Sequence, residues 1–350
     1  VSERPLHGGD PSVLRRINAA ATLRALRGAG EPTLTELAGA VGLSRPTTEG
    51  ALVELAGRGL AEEVAPQQGK RLGRPARRYR FRAEAGYALG VEIATDRTLL
   101  FLTDLDGQVV SAHREALAPD APARDRLAAV RAAVRACLAA AGIGRKQLWA
   151  VAAGTPGVVD PEGTIAYCNV VPEWQGFELG REMGRSFNCP ILVENDANLA
   201  AVAERWRGAA RDVDDVVYVL AGSHTGAGVL IGGRLHRGRW GAAGEVGVLP
   251  VLGLRDTAAV RERTGLNAMA ARMAPGVAAM VLAFDPEMVV VGGPLTLTGG
   301  DLAGALARHV PPLCLSPTRI APSELGDESV ALGAVRLALD RIETDLMRVD

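Results

Sequence analysis

The sequence predicts a winged helix-turn-helix over residues 1–82 followed by an α/β body over residues 83–350. Three observations carry this. Two short helices with strong capping residues, one after Thr33 and one after Ser44, are joined through Gly42. The segment Gly69–Arg82 holds Lys70, Arg71, Arg74, Arg77, Arg78, Arg80 and Arg82 and no acid. From about Gly86 onward, short apolar runs bounded by glycine alternate with helical patterns to the end of the chain.

Charge divides the same way. The 350 residues carry a net charge of only −1, yet residues 1–82 hold 14 Lys/Arg against 8 Asp/Glu and the remainder 25 against 32. A basic module on a mildly acidic body favours a nucleic-acid contact over a merely solvated surface, because the charge is gathered into one arm. The apolar share, 48%, is that of a globular protein. Cys137, Cys168, Cys189 and Cys314 are far apart and form no CxxC pair, so neither a disulfide framework nor a metal knuckle is expected. No apolar run reads as a membrane span and no signal peptide is recognisable; a soluble, cytoplasmic protein is expected.

Within the first module, Asp10 followed by Pro11 is a helix start. Leu14, Ile17, Ala20, Leu23 and Leu26 recur at helical spacing, and Gly28 and Gly30 end the helix. Thr33 and Glu36 make a capping box for a helix whose Leu34, Leu37, Ala38 and Val41 face inward. Ser44 caps the next helix, with Pro46 in its first turn and Ala51, Leu52 and Leu55 as its buried stripe. Its N-terminal end presents Arg45, Thr47, Thr48 and Glu49, where a recognition helix meets the major groove. Gly59–Val64 and Arg78–Phe81 read as the strands of a wing, with Tyr79 and Phe81 on one face and Arg78 and Arg80 on the other. Gly73-Arg74-Pro75 keeps the wing narrow and offers an arginine to a minor groove. The expected DNA-contacting residues are therefore Ser44, Arg45, Thr47, Thr48, Lys70, Arg71, Arg74, Arg77 and Arg78.

In the body, Tyr87–Ile93 and Thr98–Asp104 read as a hairpin, and 121–141 as an Ala/Arg-rich helix. Leu148–Gly154 is a strand, and Ile191–Val193 is a strand running into a helix at Glu194-Asn195-Asp196-Ala197-Asn198. Val216–Leu220 with Gly228–Ile231 is a second hairpin, Met288–Val291 a buried strand, and Val330–Leu339 a closing helix.

Five segments in order, GTPGVVD at 154–160, ENDAN at 194–198, GAAGEVG at 241–247, DPEMVVVGG at 285–293 and LGDESVALGA at 325–334, resemble the ROK family of repressors and sugar kinases, specifically its repressor branch. The resemblance covers nearly the whole chain and implies a two-lobed actin-like ATPase fold with a sugar cleft. Lobe one would span about 83–197 plus 330–350, and lobe two about 198–329. It also implies that Asp196 matches the catalytic base of the kinases and Glu245 a sugar-binding glutamate. With Asn169 and Asn195 these are the candidate ligand-binding residues. Asn195 and Asp196 stand at a helix start, where capping explains the same residue types. Trp174, in a loop over the sugar, either stacks on it or packs beneath the loop.

The departures from the family matter as much. Its phosphate cradle carries Gly-Gly-Thr, where this chain reads Glu92-Ile93-Ala94-Thr95-Asp96-Arg97. A cradle needs glycines so that backbone N–H groups can approach phosphate oxygens. In the second glycine-rich turn, His224 replaces a glycine. Val248 stands where the family has a zinc- and sugar-binding histidine, and Val251–Thr257 replaces its cysteine run. The expectation is a DNA-binding regulator, a repressor of carbohydrate-related genes, with no catalytic residues, no cofactor and no metal. Its partners would be a double-stranded inverted-repeat operator, a sugar or sugar-derivative effector, and its own copies in a homodimer or dimer of dimers. The alternatives are a sugar-independent regulator whose body serves only dimerisation, and an ATP-dependent sugar kinase.

Overall fold

The computed structural model describes residues 11–65, 76–222 and 224–347. They fall into two compact units. One comprises Val1–Tyr87, Asp104–Gln108 and Asp340–Asp350, the other Ala88–Thr103 and Val109–Leu339.

The first unit is built from α1 (Pro11–Gly28), α2 (Leu34–Val41), α3 (Arg45–Gly57), β1 (Ala61–Val64) and β2 (Arg78–Phe81). The capping box forms: Thr33 N–H donates to Glu36 Oε2 at 2.7 Å, and Glu36 N–H to Thr33 Oγ1 at 3.3 Å. Gly42 takes the left-handed conformation at φ 66°, which turns the chain sharply into the Ser44-capped α3. The wing strands pair antiparallel, Ala61 opposite Phe81 and Val64 opposite Arg78. Leu23, Leu26, Leu37, Leu52, Leu55 and Leu60 make the core, and Tyr79 and Phe81 close it from the wing. The predicted stripe of α1 needs correction. Leu14 and Ile17 are 56% and 49% exposed, and burial begins only at Ala19, because only the later turns of the helix carry the buried face. Arg27, from that later part, bonds Glu343 at 2.8 Å and stacks over Phe81.

The second unit holds two five-stranded sheets. Along the chain come β3 (Tyr87–Ile93), β4 (Arg97–Asp104), β5 (Val109–Ala116), α4 (Ala123–Ala141), β6 (Leu148–Thr155), β7 (Val158–Val159), β8 (Ile165–Tyr167), α5 (Leu179–Gly184) and β9 (Ile191–Asn195). The first sheet has the order β5-β4-β3-β6-β9, and β7 and β8 form a separate ribbon. Then follow α6 (Asp196–Arg207), β10 (Val216–Leu220), β11 (Gly226–Ile231), β12 (Arg234–Leu235), α7 (Thr257–Thr264), α8 (Leu266–Phe284), β13 (Met288–Gly292), α9 (Pro294–Leu297), α10 (Leu302–His309), β14 (Arg319–Pro322) and α11 (Ser329–Met347). The second sheet has the order β12-β11-β10-β13-β14, parallel from β10 through β14 and antiparallel at β10–β11 and β11–β12.

Helix α6 lies between β11 and α11 at very close range. A Cβ on Gly228 would strike the Ala197 carbonyl, and one on Gly333 the Leu199 carbonyl, so both positions must lack a side chain. This fixes the start of α6, and with it Asp196, between the second sheet and α11. Helix α8 corrects one expectation. At 19 residues it is long and apolar enough to match a membrane span by length and composition. Half of that stretch is buried, and Met269, Met273, Val277 and Val281 form the core of the second lobe.

Candidate DNA interface and ligand cavity

At the N-terminus of α3, Ser44, Arg45, Thr47 and Glu49 are exposed. Thr48 is not. It is fully buried, and its hydroxyl donates to the Ser44 carbonyl at 3.1 Å, so it serves the first helical turn and cannot touch DNA. The reason is spacing: Thr48 lies three and four residues before Ala51 and Leu52, on the face that α3 turns to the core.

Lys70, Arg71 and Arg74 lie outside the described residues. The segment itself holds no acid, but the described arginines of the basic arm find partners on neighbouring elements. Arg77 lies 3.6 Å from Glu49 and 3.7 Å from Glu63. Arg78 donates to the Glu31 carbonyl at 2.6 Å. Arg80 contacts Glu62 at 2.6 Å and Glu84 at 2.9 Å, and Arg82 reaches the same two acids. The acids come from neighbouring elements: Glu62 stands opposite Arg80 in the wing register. Exposed pairs of this kind contribute about 0–1 kcal/mol each.

The second unit contains a cavity of about 360 Å³ lined by all four expected ligand residues, Asn169, Asn195, Asp196 and Glu245. They are not equivalent. The Asn195 side chain is spent on structure, accepting from Asn198 N–H at 3.0 Å as the cap of α6 and donating to the Gly157 carbonyl at 3.0 Å. Asn169 is exposed at the cavity. Asp196 accepts from Ala197 N–H through Oδ1 at 2.8 Å, and burial pushes its carboxyl up to about 6. Glu245 is raised by burial and then by the charge of Asp196. Two carboxyls lining one cavity offer acceptors suited to sugar hydroxyls.

Another wall of the cavity is the turn from Glu92 to Arg97. Burial pushes Glu92 up to about 7, and Arg97 pulls it back from 3.1 Å away. Arg97 also donates to the Asp327 carbonyl at 3.4 Å, and Arg114 holds the Asp327 carboxylate at 2.8 Å. Beneath the turn lies Arg126, fully buried, donating to the carbonyls of Ala94, Thr95, Ala118 and Pro119 at 2.7–3.2 Å. These arginines escaped sequence reasoning because their partners are distant in the chain. So did Glu194, which accepts from Arg237 at 2.5 Å and from Asn198 Nδ2 at 2.9 Å. The sequence signal was present in the acid before Asn195, but nothing marked its cation.

Trp174 is resolved in favour of packing. It is fully buried, its indole N–H donates to Thr155 Oγ1 at 2.7 Å, and it stacks on Phe177. His224 lines the cavity, and its backbone pairs antiparallel with that of Arg255. The donor set of a zinc knuckle does not fit here. Val248 is 49% exposed, and no group of three or more His, Cys, Asp or Glu among the described residues could hold a metal.

Residues 88–253 match the ROK family, and residues 17–65 match the IclR helix-turn-helix domain. A protein of Caldicellulosiruptor sp. (strain Rt8B.4) assigned as a xylose repressor is 23% identical over 389 residues, covering 95% of this chain and 97% of its own. The xylose repressor of Bacillus subtilis (strain 168) is 25% identical over 244 residues, 69% of this chain and 62% of that protein. Among solved structures, a ROK family transcriptional regulator described as a homolog of the E. coli MLC protein superposes with a TM-score of 0.71 at 17% identity, covering 96% of this chain and 98% of that one. The capped helix pair and the two five-stranded sheets agree with these matches. Over residues 88–253 the body is that of the ROK family, and the chain is a DNA-binding regulator with an N-terminal helix-turn-helix domain and a two-lobed, sugar-kinase-like fold behind it.

Proposed function

We propose that this regulator represses carbohydrate-related genes, and that its cavity senses a sugar or sugar derivative without phosphorylating it. The observation that carries the reading is the contrast between two cavity walls. Asp196 and Glu245 remain as hydroxyl acceptors. The Glu92–Arg97 turn is closed by its own ion pair and adds the Asp96 carboxylate where phosphates would need bare N–H groups. On this reading the body binds neither ATP nor zinc and is not an enzyme. The relatives named as xylose repressors make a pentose or hexose the first choice of effector.

The functional unit is a cytoplasmic homodimer or dimer of dimers on an inverted repeat, since one recognition helix reads only a short half-site and twofold symmetry doubles it. A ligand shifts DNA binding only by its differential affinity for the two states. The test is a thermal-shift screen of xylose, glucose and their phosphates on the wild type and on Asp196→Ala. A shift by at least one sugar that disappears in the variant supports the reading, and no shift by any of them overturns the sensor function.

A further inference from the structure

Two exposed aromatic residues, one lining the cavity and one on a loop held to the same ribbon, are used neither by the packing nor by the carboxyl pair. Trp240 keeps 70% of its area in water and Tyr167 keeps 40%. Their backbones are brought together. Tyr167 pairs with Val158 in the β7–β8 ribbon, and Gly241, in the left-handed conformation at φ 75°, lies against the carbonyl of the next ribbon residue, Val159, where a Cβ would clash. The loop carrying Trp240 is thereby pinned to the ribbon whose Tyr167 lines the cavity, and the same loop runs on to Glu245 in the cavity wall.

The Arg239 guanidinium stands 5.1 Å from the centroid of the Trp240 ring. An indole so exposed contributes little to the core, yet it is held by a glycine-dependent contact rather than left on a free loop. A ring largely open to water with N–H donors close to it is what the C–H face of a pyranose and its hydroxyls require.

We infer that Trp240, Tyr167 and Arg239 form an outer subsite for a second sugar ring, so that the effector is a di- or oligosaccharide whose terminal ring enters the cavity at Asp196 and Glu245. This rests on the sugar-sensing reading and adds the size of the ligand to it. The cavity supplies hydroxyl acceptors for one ring, and the rim supplies the stacking plate for the next.

The experiment is isothermal titration of the full chain with xylose, xylobiose, glucose and cellobiose, on wild type, Trp240→Ala and Trp240→Phe. At least one disaccharide is expected to bind about tenfold more tightly than its monosaccharide. Trp240→Ala should bring that ratio to within about twofold of unity, and Trp240→Phe should keep most of it. Equal affinities in the wild type, or a ratio that survives Trp240→Ala, would overturn the subsite and leave the sugar reading standing. Absence of binding by all of these sugars would overturn both.

Discussion

Arg97 lies 3.1 Å from Glu92 across the first turn of the body, a carboxylate whose side chain is only 7% exposed. On the proposed reading this pair closes the turn to phosphates. Removing Arg97 takes away the counter-charge of Glu92, but a carboxyl already pushed up to about 7 takes up a proton rather than stay buried and ionised. Arg97→Ala is therefore expected to lower unfolding stability by about 1 kcal/mol at about pH 7 and by more at about pH 8.5, measured by urea denaturation. Adding Glu92→Gln should remove the pH dependence of that loss. A loss that is the same at both pH values would mean that the turn does not rest on the charge of this pair.

The same turn leads to the expectation that pure protein, given ATP, Mg²⁺ and xylose or glucose, shows no sugar-dependent ATP turnover above that of Asp196→Ala. Phosphoryl transfer is positioning and charge stabilisation, and a base without a seated nucleotide supplies neither. Turnover that Asp196→Ala abolishes would restore the kinase reading.

DNA affinity should fall steeply with salt, and the slope should be carried unevenly by the basic arm. Removing a side chain that neutralises one phosphate makes the log–log slope shallower by about 0.9. Arg45→Ala, and joint replacement of Lys70, Arg71 and Arg74 by alanine, should flatten it. Arg80→Ala should change it little, because Glu62 and Glu84 already hold that guanidinium. Thr48→Ala should cost about 1 kcal/mol of stability and leave base preference untouched. Fluorescence anisotropy over a salt series, with urea melts for Thr48→Ala, checks all of these, and a large slope change for Arg80→Ala would show that phosphates displace its acids.

What the sequence revealed was what is decided locally. The Thr33–Glu36 box and the Ser44 cap join residues three apart, so their chemistry is written in a few consecutive letters. The buried strands β3, β10 and β13 show as apolar runs between glycines. Helix α8 did not show: it begins after Gly265 without a side-chain cap, carries Pro275 inside, and ends at Asp285 in the left-handed region. Strand β5 lies at a sheet edge with most of its residues exposed, and its charged alternation reads as loop. In the candidate site, the placement of Asp196 and Glu245 in one cavity was legible from motif positions. The pairing of Arg80 with Glu62 needed the wing register, and the burial of Thr48 needed the direction in which α3 faces.

The raised carboxyls set the direction of the pH response. The ordinary value for Asp196 is 3.8, and burial in the folded chain moves it to about 6. Between those values the folded chain holds a proton that the unfolded chain has released, so this group makes stability fall as pH rises through the window and level off above it. Glu92 extends the fall towards about 7, and Glu245 acts in the same direction. Asp196→Asn should therefore be more stable than wild type at pH 7, on the order of 2 kcal/mol, and should decline less between pH 4 and 6. A sugar hydroxyl donating to Asp196 favours the carboxylate, so sugar affinity should rise with pH through about 6, as the cost of releasing that proton disappears. Thermal melts across pH for both proteins, with sugar titrations at pH 5 and 7, test the two trends together. Melting curves for the two that stay parallel across this range would show that Asp196 is already ionised in the free folded chain.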